Sequence, residues 1–408
     1  MSQLRAPLVR WLSLCVLGVV GLSSCSLPAP PVQEPQEPVV LELEADIPQE
    51  DGGAKPLIEV EPIPEDPLDI RIAEVIASMD TREQVAGLMV VTIGGMNPEA
   101  LNDFRARIPV AGFLLQRNNL VGDTYAIREF IGKVQEDSDF PLVMAVDQEG
   151  SPVARISGDD FPGARTLGSG PIQDTAAAFL ARQQLVDKAG ANLNFGVVAD
   201  VSAGSGAYIH SRSFSTDATV VAEHVAVAVT AQVPEVAQTL KHFPGHGMVF
   251  ADSHRSIPSA DITYDQWRSS HALPFIAGIG AGVELVMTGH LRVPSVSMDP
   301  ASLSDDWISI LRNNLGFEGV IITDDLGMLR ASGEAAYADP ATVAVAALAA
   351  GNDLVLLVVD PGTDPDYETY DDIVAALEQA VAEGVISQAQ ISESLTRVLR
   401  LRASLGAP

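Results

Sequence analysis

The chain has 408 residues, of which 47% are hydrophobic and only 5% aromatic, and its formal net charge is −30. This hydrophobic fraction excludes a wholly disordered chain and is ample for a large core built mainly from aliphatic side chains. The negative charge argues against nucleic acid as a partner, because phosphates would be repelled and no Lys/Arg cluster with interleaved aromatic residues occurs.

The N-terminal segment has the features of a secretory signal. Arg5 and Arg10 precede the apolar stretch 11–22, and the Leu-Ser-Ser-Cys sequence that ends at Cys25 is similar to the lipobox of bacterial lipoproteins. We therefore predict a signal peptide over 1–24, lipid modification of Cys25, and export to the cell membrane or the outer membrane. An uncleaved anchor helix and an ordinary signal peptide are alternatives, but the apolar stretch is short for a membrane span.

The next segment, 25–66, is rich in Pro, Asp and Glu, and Lys55 is its only basic residue. Such a composition cannot bury a core and is typical of an extended tether. The chain has two cysteines, and Cys15 lies within the predicted signal. The region that follows the tether therefore has no internal disulfide available to stabilise it.

From residue 67 to 408 the chain alternates short apolar runs with longer amphipathic stretches. The apolar runs are rich in β-branched residues, as expected of strands that are buried on both faces. Eight strands are predicted, at 88–93, 110–116, 142–147, 193–199, 238–242, 284–289, 319–324 and 353–358. Helices are predicted at 122–135, 172–190, 217–231, 303–315, 339–350, 370–384 and 388–403.

This alternation predicts an α/β fold in which a single domain forms a (β/α)₈ barrel of the TIM type. A doubly wound open sheet is the alternative. No GxGxxG sequence follows the first predicted strand, and polar residues follow many different strands rather than one or two. The single catalytic face of a barrel explains that distribution better than an open sheet does.

Charged or imidazole side chains stand at the ends of four of the predicted strands. Asp147, Lys241 with His242, His290, and Asp324 with Asp325 each follow an apolar run. In a barrel the carboxyl ends of all strands meet at one mouth, where polar side chains stay accessible to solvent. A polar residue at the end of one strand is often simply exposed to solvent and has no function. Polar residues at the ends of four strands together predict a functional site at the mouth.

Three histidines between His242 and His254 first suggest a metal site. The spacing of His242 and His246 would need a helix to bring both side chains to one face, and Pro244 with Gly245 prevents that helix. We therefore predict neither a metal nor another cofactor. A better interpretation is that Asp252 accepts a hydrogen bond from His254, which leaves the other imidazole nitrogen to act as a general acid. A simple ion pair in a loop is the alternative.

The sequences KHFPGHG at 241–247 and DSH at 252–254 resemble the signature of the NagZ-type β-N-acetylhexosaminidases of glycoside hydrolase family 3. Similar matches run in the same order from residue 67 to the end of the chain. They are DQEG at 147–150, FPGAR at 161–165, NLNF at 192–195, RSF at 212–214, MTGH at 287–290 and TDDLGM at 323–328.

The resemblance implies a barrel enzyme without cofactors that acts on terminal β-linked N-acetylglucosamine in peptidoglycan fragments or chito-oligosaccharides. It implies that Asp324 is the nucleophile and that His254, paired with Asp252, is the general acid and base of a two-step, retaining mechanism. By motif position it also implies contacts with the sugar from five further side chains. These are Asp147, Arg155, Arg212, Lys241 and His242.

One departure from the family pattern lies in the loop after DQEG, where Ser151 and Pro152 replace the usual Gly-Arg before Arg155. This substitution leaves the orientation of the substrate open. Three rival interpretations are a substrate-assisted reaction that uses both Asp324 and Asp325, a β-glucosidase of the same family, and a carbohydrate-binding lipoprotein without activity. The expected partners are an oligosaccharide and, through Cys25, a membrane, and the protein is expected to be a monomer.

Overall fold

The fold is seen in a computed structural model, which describes residues 66–136, 138 and 140–406. The predicted signal peptide, Cys25 and the predicted tether up to residue 65 lie outside the described residues. In the described part of the chain, no helix combines the length and the apolar character that crossing a membrane requires.

Eight parallel strands close into a barrel and follow one another around it in chain order. They are β1 (Met89–Val91), β2 (Gly112–Leu114), β3 (Val143–Val146), β6 (Leu193–Val198), β7 (Ala237–Phe243), β8 (Leu285–Thr288), β9 (Val320–Asp325) and β10 (Leu354–Leu357), while β4 (Gln148–Gly150) and β5 (Val153–Ala154) form a separate antiparallel hairpin. The barrel closes where β1 pairs with β10. The predicted (β/α)₈ barrel is confirmed, and each of its eight strands overlaps a predicted run.

Helices surround the barrel. They are α1 (Pro67–Ser78), α2 (Thr81–Ala86), α3 (Pro98–Arg107), α4 (Thr124–Gln135), α5 (Ala164–Leu167), α6 (Ile172–Lys188), α7 (Ala218–Thr230), α8 (Tyr264–Arg268), α9 (Ala272–Gly280), α10 (Asp305–Ser309), α11 (Gly327–Ala331), α12 (Pro340–Ala349), α13 (Glu368–Ala382) and α14 (Gln388–Ser404). Aspartate side chains cap several of the N-termini, among them α4, α7 and α12, by accepting backbone N–H bonds. The sequence prediction did not include α1, α2, α3, α5, α8, α9 or α11.

The strands contribute mainly aliphatic side chains to the core, but an aromatic cluster supports the end of β7. Phe243 packs edge-on against Trp267 and Trp307 at ring-centroid distances of 5.9 and 5.6 Å. The indole N–H of Trp267 donates to the carbonyl of Pro244 at 2.8 Å. These contacts fix the KHFPGHG segment where it leaves the barrel.

Glycine is required where the loops after β6 and β7 meet. A Cβ atom on Gly247 would lie 2.0 Å from the carbonyl oxygen of Val201, which is far inside van der Waals contact. Only a residue without a side chain lets these two loops approach so closely. This contact matters for the mouth of the barrel, because both loops carry side chains of the site described next.

Candidate active site

The carboxyl ends of the barrel strands enclose a cavity of about 260 Å³ at the mouth. Asp324, on β9, lines it together with His254 from the loop after β7. The full lining is Leu114, Gln116, Asp147, Phe195, Lys241, His254, Met287, Asp324, Asp325, Met328, Leu356 and Val358. The carboxylate and the imidazole that the sequence singled out thus face the same space, although they lie 70 positions apart in the chain.

Asp324 is held as an ionised carboxylate. Burial raises its pKa, but the imidazoles of His242 and His290 and the backbone N–H of Asp325 more than offset burial, so the pKa lies below the usual value. The Lys241 ammonium contributes in the same direction. One Asp324 oxygen accepts the Asp325 N–H at 2.8 Å. A partly buried, ionised carboxylate in the lining of the cavity has the properties of a nucleophile.

The neighbouring carboxyl group of Asp325 behaves differently. Burial raises the pKa of Asp325 to about 7, in spite of hydrogen bonds from the backbone N–H groups of Gly327 at 2.9 Å and Val358 at 3.0 Å. Its side chain thus bridges the ends of β9 and β10. The two adjacent carboxyl groups therefore have pKa values that are pushed apart, which is the usual sign of different roles.

Three ion pairs join four side chains into what we call the buried charge network, consisting of Asp147, Glu149, Arg212 and Lys241. The Lys241 ammonium lies 2.7 Å from a carboxylate oxygen of Asp147 and 2.7 Å from one of Glu149. Arg212 binds Glu149 through two nitrogens, at 2.8 and 2.7 Å. The side chain of Lys241 is only 4% exposed, so the network is largely shielded from water.

The protonation states of the network follow from these contacts. Burial lowers the pKa of Lys241, but the carboxylates of Asp147 and Glu149 raise it by more than burial lowers it. The pKa of Lys241 is therefore above its usual value. Burial raises the pKa of Glu149, but Arg212 and Lys241 hold it well below its usual range. Glu149 and Lys241 are therefore both charged at neutral pH, and Lys241 provides a cation beside Asp324.

His242 is oriented by a second carboxylate. Its Nδ1 atom lies 2.7 Å from Oδ2 of Asp200, two residues after the end of β6, and its Nε2 atom lies 3.4 Å from a nitrogen of Arg212. Asp200 also accepts the backbone N–H of His246 at 2.6 Å. Asp200 thereby fixes both the ring of His242 and the turn that follows it.

The hairpin of β4 and β5 brings Arg155 back to the mouth. Ser151 and Pro152 occupy the turn of this hairpin, and Gln148 pairs with Ala154. The Arg155 guanidinium then lies 3.8 Å from the Asp147 carboxylate. The departure from the family sequence is therefore accommodated in a turn, and the arginine stays beside the cavity.

His254 and Asp252 form an exposed pair that we call the loop pair. Nδ1 of His254 lies 2.8 Å from Oδ1 of Asp252, and the His254 backbone N–H donates to the same oxygen at 3.0 Å. Burial raises the pKa of Asp252, but these two hydrogen bonds and the neighbouring side chains of His254 and Arg255 together lower it by more, so the pKa lies below its usual value. The His254 side chain is 52% exposed, and its ring lies 5.6 Å from that of Tyr208. Its Nε2 atom is left for another partner.

Two further histidines of the mouth, His246 and His290, have pKa values below the usual value. Burial lowers the pKa of His246 to about 4, and burial also lowers the pKa of His290. His246 binds Ser253 at 2.9 Å, and His290 binds Ser302 and the carbonyl of Asp325. Across the described residues, no three His, Cys, Asp or Glu side chains are arranged to hold a metal ion.

The structure brings seven of the eight predicted residues together in contact networks or in the cavity lining, and Asp252 joins them through His254. Their roles remain predictions. Sequence reasoning assigned no role to Glu149, Asp200 or Tyr208. Asp200 could have been found, since it follows an apolar run just as Asp147 does. Glu149 and Tyr208 lie in loops whose pairing the chain order does not reveal.

Comparison with known proteins places the chain among glycoside hydrolases. Residues 77–401 match the sequence model of the Glycosyl hydrolase family 3 N terminal domain. The chain is 29% identical to Beta-hexosaminidase A of Pseudoalteromonas piscicida, over 76% of this chain and 56% of that protein. It is 36% identical to Beta-hexosaminidase of Stenotrophomonas maltophilia (strain R551-3), over 61% of this chain and 76% of that protein.

The structure is similar to a solved glycoside hydrolase family 3 beta-N-acetylglucosaminidase from Paenibacillus sp. str. FPU-7. The TM-score is 0.75 and the sequence identity 30%, covering 81% of this chain and 64% of that one. The chain thus spans little more than half of one of these relatives and just under two thirds of this structure. The family match covers most of the chain and all eight barrel strands. The chain belongs to glycosyl hydrolase family 3.

Proposed function

We propose that this protein is a retaining exo-β-N-acetylglucosaminidase that hydrolyses terminal β-linked N-acetylglucosamine from peptidoglycan fragments or chito-oligosaccharides. The names of its relatives, beta-hexosaminidase and beta-N-acetylglucosaminidase, support this substrate class. The observation that carries the proposal is the shared cavity of Asp324 and His254. Its volume of about 260 Å³ suits one sugar residue rather than a bound chain, which agrees with action at a terminus.

The buried charge network and its neighbours would bind that sugar. Asp147 and Lys241 line the cavity, and Arg155 approaches Asp147 from the hairpin. Arg212 and His242 are fixed by Glu149 and Asp200. Carboxylate and cationic side chains held in this way offer oriented acceptors and donors for hydroxyl and acetamido groups, with little conformational freedom left to lose on binding.

In the first step the Asp324 carboxylate attacks the anomeric carbon as the bond from that carbon to the leaving oxygen breaks. His254 donates the proton on Nε2 to the leaving oxygen, while Asp252, on Nδ1, stabilises the imidazolium and fixes the ring. The products of this step are a glycosyl ester on Asp324, a neutral His254 and a free alcohol.

In the second step water attacks the anomeric carbon of the ester. Nε2 of His254 accepts a proton from this water, and Asp324 departs as a carboxylate, which restores both groups. Two displacements at one carbon retain the β configuration. Because the second group is an imidazole, the usual relation between carboxylate separation and stereochemistry does not apply here.

The adjacent aspartates bear on the substrate-assisted alternative. Asp325 engages the backbone N–H groups of Gly327 and Val358, and successive residues on a strand point to opposite faces. This arrangement favours Asp324 alone as the reacting carboxylate. A 5-fluoro glycosyl probe tests the assignment, since covalent labelling of Asp324 is expected for a true nucleophile. An unlabelled Asp324 in an active enzyme would favour the substrate-assisted reaction.

The decisive experiment is turnover of p-nitrophenyl N-acetyl-β-glucosaminide by the protein and by Asp324→Asn and His254→Ala. We expect activity in the parent and at least about a 10⁴-fold loss in kcat for Asp324→Asn, in line with removal of a nucleophile. Faster cleavage of the p-nitrophenyl glucoside would favour a β-glucosidase. Binding of chitobiose without any released monosaccharide would favour a carbohydrate-binding protein.

We also propose that Cys25 carries a lipid that anchors the protein to the cell membrane or outer membrane. The proposal is supported by the basic and apolar sequence that precedes Leu-Ser-Ser-Cys and by the Pro-rich acidic segment after it. Metabolic labelling with a radioactive fatty acid tests it. Label in the protein is expected, and Cys25→Ala should remove both the label and the recovery of the protein in the membrane fraction.

A further inference from the structure

An exposed aromatic ring stands on the same loop as His254. Phe250 is 60% exposed, although burial of a phenylalanine is normally favourable. The loop that carries it is tied to the loop after β6, because the Tyr208 backbone N–H donates to the Phe250 carbonyl at 3.1 Å. The edge of the ring rests near Gly206, where an added Cβ would lie 3.6 Å from Cδ1. The ring is therefore supported by a neighbouring loop while much of it stays exposed.

Tyr208 links this ring to the loop pair. Its own ring lies 5.6 Å from that of His254 and 5.9 Å from that of His246. Tyr208 is 38% exposed, so it too contributes to the surface at this side of the mouth. Phe250 and His254 stand on one loop and Tyr208 on the neighbouring loop that is bonded to it, and we call these three residues the aromatic rim.

The reaction places the leaving group at this rim. The leaving oxygen must lie next to Nε2 of His254, because Nδ1 is engaged by Asp252. The sugar that is cleaved off fills the cavity on the Asp324 side, and the remainder of the substrate must extend outward past His254. Sugar rings carry C–H groups on their faces, and these match the negative face of an aromatic ring.

Resting on the proposed function, we infer that Phe250 forms a stacking surface for the first sugar unit of the leaving group. It then acts as a specificity-determining residue that favours glycan leaving groups over small ones. Of the buried charge network, Asp147 and Lys241 line the cavity that holds the sugar to be cleaved off, whereas Phe250 is exposed on the loop outside it.

The test compares chitobiose, whose leaving group is a sugar, with methyl N-acetyl-β-glucosaminide, whose leaving group is small but needs the same protonation by His254. We expect Phe250→Ala to lower the ratio of kcat/KM for chitobiose to kcat/KM for the methyl glycoside by about tenfold, and Phe250→Trp to keep the ratio of the parent. Tyr125→Ala is the matched control. Tyr125 is an aromatic residue that is 75% exposed on α4, and its removal should leave the ratio unchanged.

An unchanged ratio in Phe250→Ala would overturn the inference in either of two ways. If neither activity fell, the ring would make no contact with the leaving group. If both activities fell equally, the ring would act through His254, which protonates both leaving groups, rather than on the sugar. A parent protein that cleaves neither substrate would overturn the proposed function itself, and that result is distinct from either of these.

Discussion

The buried charge network and the loop pair both consist of opposite charges in contact, but they differ in exposure. Lys241 and Glu149 have side chains that are 4% and 5% exposed, while His254 and Asp252 are 52% and 26% exposed. The first set stands on strand ends, a hairpin and, for Arg212, the loop after β6, whereas both members of the second stand on the loop after β7. Contacts of similar length, 2.7 and 2.8 Å, therefore occur in very different surroundings.

This difference separates two tasks. Charges that are buried together are rigid and strongly coupled, because the low dielectric around them strengthens each interaction and penalises any unpaired member. Such a set is suited to holding a ligand in one orientation. An exposed pair is weakly coupled to the fold and leaves the imidazole accessible to solvent. That surrounding is suited to a group that must give a proton to one molecule and then take one from water.

Of the effects expected in these two regions, the largest concerns the loop pair. His254→Ala should lower kcat/KM for chitobiose by roughly 10²- to 10⁴-fold, the usual contribution of a general acid. The loss should be much smaller for N-acetyl-β-glucosaminyl fluoride, whose leaving group needs little protonation on departure. Unfolding in urea should stay within about 0.5 kcal/mol of the parent, because the side chain is exposed. Equal losses on both substrates would contradict the role of His254 as the proton donor.

The next largest effect is a loss of stability, and it is expected in the buried charge network. Glu149→Gln removes one charge while Arg212 and Lys241 stay buried beside it. Removal of one partner from such a set costs about 3–5 kcal/mol in the free energy of unfolding. Denaturation in urea measures it, and Glu129→Gln is the control, since Glu129 pairs with Lys133 on the exposed surface of α4. A loss below about 1 kcal/mol would mean that water reaches the network.

Glu149 also marks the limit of the sequence prediction. The barrel could be predicted because each strand is a separate apolar run, and the mouth could be predicted because polar residues end these runs. Glu149 lies beyond a strand end, on β4, and its partners come from β7 and from the loop after β6. Which loop residues pair with one another depends on the packing of the loops and not on any local pattern.

The missed elements have a similar explanation. The β4 and β5 strands are three and two residues long, too short to show an alternation of polar and apolar residues. Helix α9 is apolar on most of its positions and contains two glycines, which weakens its helical signal. The β4–β5 hairpin and helix α9 are stabilised by tertiary contacts, and local sequence patterns carry no information about such contacts.

A smaller effect on the free energy of unfolding is expected at Asp325, which lines the cavity but belongs to neither the buried charge network nor the loop pair. Its raised pKa of about 7 means that the folded protein holds this proton more tightly than the unfolded chain does. Asp325 therefore makes unfolding easier as the pH rises from about 4 to about 7, and the effect is constant above pH 7. Asp325→Asn mimics the protonated group, and its oxygen can still accept from Gly327 and Val358.

The measurement compares the free energy of unfolding of Asp325→Asn and of the parent at pH 5 and pH 8. The free energy of unfolding of the variant, relative to that of the parent, should rise by on the order of 1–3 kcal/mol between pH 5 and pH 8. Each unit of pKa shift corresponds to about 1.4 kcal/mol. The groups with lowered pKa, such as His246, are present in both proteins and cancel in the comparison. A pH-independent difference would show that Asp325 titrates as an ordinary exposed carboxyl group.

The smallest effect on stability is expected at Asp252, the counterpart of Glu149 in the loop pair. Asp252→Asn makes the same chemical change as Glu149→Gln, a carboxylate to an amide, but in an exposed pair whose contribution is below about 1 kcal/mol. Its effect on kcat should be larger than this, roughly tenfold, because an amide can accept the Nδ1–H bond but does not stabilise the imidazolium. Urea denaturation and chitobiose turnover, measured on Asp252→Asn and on Glu149→Gln, compare the stability and the activity that each region contributes. A variant of Asp252 that lost as much stability as Glu149→Gln would mean that the loop is as tightly coupled to the fold as the strand ends are, and the separation of the two tasks would no longer hold.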